Sequence, residues 1–164
     1  MKDAFLQGMS RAANSVCVVT TDGVFGRAGV TISAMTSVSV DTPKPTLLVC
    51  IHTLSPTCEA ILKNGVFCAN LLGSDQAHVS DSFAGRTDAK GIDKFACADW
   101  DTKQTGAPML QGALAQFECT VVHETVFGSH RMFVGEVENA NSAEAGDPLL
   151  YFGRDYAVPM RMSS

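Results

Sequence analysis

From Gly29 the chain alternates. Val30, Ile32, Ala34, Val38 and Val40 point one way, and Thr31, Ser33, Met35, Ser37 and Ser39 the other. A period of two predicts a β-strand with one apolar and one polar face. The same period returns in the last third, where Ala113, Ala115, Phe117, Cys119 and Val121 read as inward and Gln116, Glu118 and Thr120 as outward. Ser15–Thr21 is rich in β-branched residues and ends at Asp22-Gly23, a hairpin signal. Thr46–His52 is apolar on both faces, which predicts a central strand. Gly65–Leu72, Met132–Val137 after a Gly128-Ser129 turn, and Pro148–Phe152 read as further strands.

Helical signals are fewer. Phe5, Met9 and Ala12 recur at helical spacing. Ser55-Pro56 offers an N-cap and a first-turn proline for a helix reaching about Lys63. Ser74-Asp75 opens another, ending near Phe83-Ala84-Gly85, and residues 86–111 are turn-rich without a clear period. Some seven short strands and three helices, not in strand–helix–strand alternation, predict a mainly β fold. The expected architecture is an antiparallel barrel with peripheral helices. With no internal repeat or low-complexity segment, residues 1–164 are expected to form a single domain.

Composition removes several function classes. Apolar residues make up 46% of the chain, too many for a disordered protein. Charged residues reach only 18%, against roughly 25% in an average soluble chain. A net charge of −5, with no run of even three cations, argues against binding the nucleic-acid backbone. The longest apolar run, Leu47–Ile51, is five residues, far below the ~20 of a membrane span. Asp3 stands where an export signal would need apolar residues. The six cysteines (17, 50, 58, 68, 97 and 119) contain no C-x-x-C pair and read as buried free thiols in a reducing cytosol. A cytoplasmic protein without a metal centre is the expectation.

Chemistry is narrowed first by absences. Gly23, Gly26 and Gly29 are spaced G-x-x-G-x-x-G with no helix following, unlike a Rossmann dinucleotide loop. Walker A, H-E-x-x-H and G-x-S-x-G motifs are missing, and His52, His78, His123 and His130 are far apart in sequence. The positive signal is a hydroxyl row, Thr31, Ser33, Thr36, Ser37 and Ser39, in a stretch without charge from Ala28 to Val40. Such a stretch suits a lined pocket, where small side chains let backbone N–H groups approach a ligand. A solvent-facing strand is the plain alternative. Ser55-Pro56-Thr57 at a helix start is a candidate phosphate site, although most such residues merely cap a helix. Gly128-Ser129-His130 delivers an imidazole at a strand start. Tyr151-Phe152-Gly153-Arg154-Asp155-Tyr156 places aromatics and a cation near the C-terminus.

Taken in order, eight segments resemble the flavin reductase-like family, whose members have a split-barrel flavin-binding fold. They are Val18–Gly23, Gly29–Ala34, Thr36–Ser39, Leu47–Ile51, Asn70–Leu72, Phe83–Gly85, Gly128–His130 and Tyr151–Arg154, and the resemblance runs from about Phe5 to Tyr156. It is strongest to the reductase components of two-component monooxygenases, such as the 4-hydroxyphenylacetate monooxygenase reductases. The resemblance implies an NAD(P)H:flavin oxidoreductase that passes hydride from NADH or NADPH to FMN or FAD. It implies a homodimer with flavin near the subunit interface, and reduced flavin handed to a separate oxygenase. By position, Thr31, Ser33, Ala34, Met35, Thr36, Ser37 and Ser39 would hold the isoalloxazine edge and ribityl chain, and Cys50 and Ile51 would flank the ring. Ser55 and Thr57 would contact phosphate, and Phe83, Ala84 and Gly85 would close over the cofactor. His130, as the catalytic-site imidazole, with Tyr151 and Arg154, would meet the nicotinamide nucleotide. Three departures from the family pattern are Ala157 where a His is frequent, Pro43-Lys44-Pro45 in place of Pro-Pro, and Gly153 at a commonly bulkier position. A non-catalytic flavin-binding protein on the same fold is the alternative.

Overall fold

The structure, a computed structural model, describes residues 1–86 and 93–162. Helix α1 (Lys2–Met9) leads to strands β1 (Asn14–Ser15) and β2 (Cys17–Thr21). The Asp22-Gly23 turn returns the chain antiparallel as β3 (Ala28–Ile32), as its sequence predicts. Strands β4 (Met35–Ser39) and β5 (Thr46–His52), helix α2 (Pro56–Asn64), strand β6 (Val66–Leu71) and helix α3 (Ala77–Ala84) follow. After a short 3₁₀ turn at Lys94–Cys97 come β7 (Trp100–Asp101) and β8 (Met109–Leu110). A long hairpin, β9 (Ala115–Phe127) and β10 (His130–Ser142), precedes the closing pair β11 (Leu150–Phe152) and β12 (Asp155–Ala157). Of the turn-rich stretch 86–111, residues 87–92 lie outside the described residues.

Seven strands form one antiparallel sheet in the order β3-β2-β6-β9-β10-β5-β4. Its two edges, β3 and β4, are separated in sequence only by Ser33 and Ala34. A flat seven-stranded sheet would hold its edges about 29 Å apart. Three peptide steps reach roughly 10 Å. The sheet therefore curls until its edges meet, and the barrel is split where the chain crosses from β3 to β4. This is the antiparallel barrel with peripheral helices that the pattern predicts.

Three expectations are corrected. The alternation from Gly29 does not run through one strand: the bend at Ser33-Ala34 shifts its phase. Val30, Ile32 and Met35 pack on the barrel core, while Val38 and Val40 are exposed. Strand β5 is not central but next to the β4 edge. Its Leu47, Val49 and Ile51 enter the core, and its other face is only half-buried. Gln116 and Glu118 do not face solvent, because residues 104–110 cover that face of β9.

Glu118 is fully buried. It accepts hydrogen bonds from the Thr105 N–H (3.0 Å), the Thr105 hydroxyl (2.9 Å), the Asn139 amide (2.9 Å) and the Gln104 N–H (3.4 Å). Burial raises its proton affinity, but these donors outweigh it and hold the carboxyl below its ordinary value. A depressed carboxyl stabilises the fold above the unfolded pKa of about 4.3, and the contribution is lost as pH falls through the folded value. We expect Glu118→Gln to cost about 2 kcal/mol at pH 7. Urea titrations at pH 7 and pH 3 should show the difference shrinking at the lower pH. A pH-independent difference would mean that the charge is not the stabilising feature.

Two apolar clusters support the candidate site. Inside the barrel, Cys17, Val19, Leu47, Val49, Ile51, Phe67, Cys119 and Phe133 pack together, with Cys58 and Ile61 of α2 closing one side. Beneath α3, Val79 and Phe83 join Val16, Val18, Leu72 and Phe95. Gly29 makes that second packing possible, since a Cβ there would stand 2.5 Å from the Phe83 ring. Phe83, Phe95 and Trp100 then meet edge-to-face with centroids 5.0–5.5 Å apart. All six cysteines are free. Burial pushes the Cys17 and Cys68 thiols well up and that of Cys119 up to about 12, so these act as small core residues and not as nucleophiles.

Candidate functional site

Two concavities lie along β3. The first is at the start of α2. Ser55 enters the helix in extended backbone, φ −71° and ψ 128°, and its side chain caps no N–H. Pro56 occupies the first helical turn, where a missing N–H is not needed. The Cys58 N–H is taken by the Ser55 carbonyl at 2.9 Å, which leaves the Thr57 N–H and the positive end of the helix dipole beside a cavity of about 250 Å³. Ser55 and Thr57 line it together with Arg27, Gly29, Lys94 and Phe95. The Arg27 guanidinium lies 5.2 Å above the Phe95 ring and pairs with Asp22 at 3.1 Å. Lys94 donates to the Phe83 carbonyl at 3.4 Å. Two cations beside the Thr57 N–H, with the Asp93 carboxylate also in the lining, make a candidate anion site.

The second concavity, about 160 Å³, is lined by Thr31, Ile32 and Ser33 of β3 and its bend, Ser80 and Ala84 of α3, Arg86, Tyr151 and Tyr156. Arg86 stands over both tyrosine rings, 5.5 Å from Tyr151 and 5.6 Å from Tyr156. The Tyr156 hydroxyl lies 2.8 Å from Ser80 Oγ and donates to Asp81 at 2.7 Å. Burial, and then Asp81, push its phenol up despite the Ser80 contact, so it stays a neutral donor. The Thr31 hydroxyl donates to the Ser80 carbonyl at 2.7 Å, fastening α3 to β3.

His130 is the first residue of β10 and pairs across the sheet with His52, the last of β5. Their rings meet at a centroid distance of 5.1 Å and an interplanar angle of 71°. The Ser129 carbonyl accepts from the Thr53 N–H at 2.9 Å, tying the His130 turn to the loop that enters α2. The imidazole pair and the α2 anion site therefore share one loop.

Other sequence-predicted residues are divided among these features. Ser33 and Ala34 are exposed at the barrel's split. Met35, Thr36 and Ser37 instead line a separate apolar groove of about 340 Å³ with Leu47, Phe117 and Val137. Ser39 is half-buried at the end of the same strand. Alternation along β5 leaves Cys50 half-exposed but sends Ile51 into the barrel core, so only Cys50 is open to a ligand. Phe83 is buried on the inner face of α3, whereas Ala84 and Gly85 are exposed. Arg154 stands in the β11–β12 turn with φ 71°, outside the cavity that Tyr151 lines, and Arg86 is the cation found there. Sequence reasoning missed Arg27, His52, Arg86 and Lys94. Arg86 directly follows the Phe83-Ala84-Gly85 segment, the one local hint among them.

Known proteins resemble this chain along nearly its whole length. Residues 9–159 match the family described as flavin reductase like domain. An Acinetobacter baylyi protein named FMN reductase (NADH) RutF is 43% identical over 158 residues, covering 96% of this chain and 82% of that protein. The styrene monooxygenase flavin reductase of Pseudomonas putida S12 superposes with a TM-score of 0.83 at 29% identity, covering 96% of this chain and 99% of that one. The NADH:FAD oxidoreductase SgcE6 of Streptomyces globisporus gives 0.87 at 26% identity, covering 98% and 94%. A match across nearly the whole barrel, with the α2 and α3 concavities inside it, means that the chain belongs to the flavin reductase-like family.

Proposed function

We propose that this protein is an NADH-dependent flavin reductase that supplies reduced flavin to a partner flavin-dependent oxygenase. The observation that carries the reading is the 43% identity to an FMN reductase (NADH) over 96% of the chain. It supports FMN as the flavin and NADH as the reductant, with FAD supported through the SgcE6 likeness.

The residues present fit a flavin. The α2 N-terminus, Ser55, Thr57, Arg27 and Lys94 form an anion site suited to the flavin phosphate. Ser33 and Ala34 would offer backbone and hydroxyl groups to the flavin ring, and Ala84, Gly85 and Cys50 would help to hold it. Thr31 acts through α3, since its hydroxyl is engaged by Ser80. Bound flavin supplies the hydride acceptor, so the protein's task is to position and not to transfer protons. His130 orients the nicotinamide, and Tyr151 forms one wall for the incoming nucleotide. Arg86 takes the cationic role that the family resemblance gave to Arg154.

The working unit is a homodimer, with Met35, Thr36, Ser37 and Ser39 completing the site from the interface side. Support comes from the apolar groove beside β4 and from Val38 and Val40, which are 55% and 71% exposed in the single chain. Exposed apolar patches of this kind mark interaction surfaces, a partner chain among them. Six free cysteines support a reducing compartment, the cytoplasm. Among the described residues no helix is long and apolar enough to cross a membrane.

The test is steady-state oxidation of NADH and NADPH under air with riboflavin, FMN and FAD, run beside light scattering for the mass. Turnover with NADH and a dimeric mass are expected. Flavin binding without turnover by either nucleotide would leave a flavin-binding protein and defeat the proposal.

A further inference from the structure

We infer that His52 is a positioning residue of the nicotinamide site, acting by holding the His130 ring. The inference rests on the reading of His130 given above.

Two solvent-exposed imidazoles at strand ends would each ordinarily sample several rotamers. Here both are held. The His52 Nδ1 accepts the Leu54 N–H at 3.1 Å, so a neutral His52 carries its hydrogen on Nε2. That hydrogen bond fixes the ring, and it also leaves a neutral His52 without a free ring lone pair for a metal ion. The His52 carbonyl accepts from the Ser55 N–H at 2.9 Å, so the residue is anchored to the first turn of α2 as well.

His130 lies between two cross-strand neighbours, Phe127 of β9 on one side and His52 of β5 on the other. Its Nδ1 is 3.0 Å from Ser129 Oγ, which leaves Nε2 as its free polar atom. The edge-to-face contact with His52, at 5.1 Å and 71°, limits rotation of the His130 ring about its second side-chain torsion. A ring held in this way meets a nucleotide amide without first losing rotamer freedom on binding. His52 thereby contributes to NADH affinity through His130, without a contact of its own to the reacting atoms.

A double-mutant cycle on the flavin-loaded enzyme tests this. His52→Ala is expected to raise the KM for NADH about tenfold, with kcat and flavin affinity unchanged. His52→Phe keeps a ring against His130 and is expected to restore most of the loss. In the His130→Ala background, His52→Ala should have no further effect. Flavin fluorescence titration and thermal melting accompany each variant, to separate a misfolded protein from a mispositioned imidazole. Equal effects of His52→Ala in both backgrounds would show independent action and overturn the inference, as would loss of flavin affinity or failure of the Phe variant to rescue. A neutral His52→Ala beside a defective His130→Ala defeats only the role of His52. A neutral His130→Ala defeats the His130 reading, and the positioning role falls with it.

Discussion

Ser55→Asp is expected to weaken FMN binding about hundredfold (~2.7 kcal/mol) while leaving the protein at least as stable as before. The two effects have opposite signs for one electrostatic reason. Asp caps a helix as well as Ser does, and a negative charge is favourable at the positive end of the dipole. Ser55 makes no side-chain cap at present, so the substitution removes no existing hydrogen bond. A carboxylate there lies in the same cavity as Arg27 and Lys94 and satisfies the anion site from within. A phosphate arriving next to it meets a like charge, worth about 4 kcal/mol at 4 Å in a partly screened setting. Riboflavin, which has no phosphate, is the control and should bind both proteins equally. Fluorescence quenching with riboflavin and FMN, with thermal melts of the apoprotein, reads all of this. If riboflavin and FMN lose affinity in parallel, the phosphate does not sit at α2.

The largest stability effect is expected from Gly135→Ala in β10. A Cβ at this position would stand 2.6 Å from the Cys119 Cβ and 2.6 Å from the Phe67 ring. Both neighbours are fully buried, so neither can swing out to solvent. Overpacking of this kind costs about 3 kcal/mol at the upper end. The melting temperature should then fall by roughly 6–12 °C for a chain of this size. Adding Phe67→Leu, which removes the ring tip that the new methyl meets, should recover part of the loss although Phe67→Leu alone destabilises. Strict additivity of the two changes would show that the clash is not the cause.

The elements of this fold were readable in sequence because period and punctuation are local. Ser15–Thr21 with Asp22-Gly23, and Ser55-Pro56, announce their strand, turn and helix within a few residues. The errors came where burial depended on distant segments. Glu118 looks outward in the alternation of β9, and only the packing of residues 104–110 over it turns a surface carboxylate into a buried anchor. Val38 and Val40 look inward, and only the bend at Ser33-Ala34 exposes them. The low charged fraction of 18% fits the first finding, since one polar face is covered within the chain.

The candidate site divides in the same way. The hydroxyl-rich segment, the start of α2, and Phe83-Ala84-Gly85 were visible because each is continuous in the chain. Arg27 and Arg86 flank such segments and Lys94 does not, and beyond Arg86's place after Gly85 nothing local marks which of the scattered cations faces a cavity. His52 and His130 are far apart in sequence and become neighbours only through the register of β5 against β10. Sequence alone determined the antiparallel barrel class, most elements and the family, because periodicity, turn residues and ordered short segments are properties of neighbouring residues. The tertiary structure alone decided the barrel's split, the burial of Glu118, the placing of Arg86 and not Arg154 in the cavity beside Tyr151, and the pairing of two imidazoles. Each of these depends on sheet order and closure, which bring together side chains that local sequence leaves unrelated.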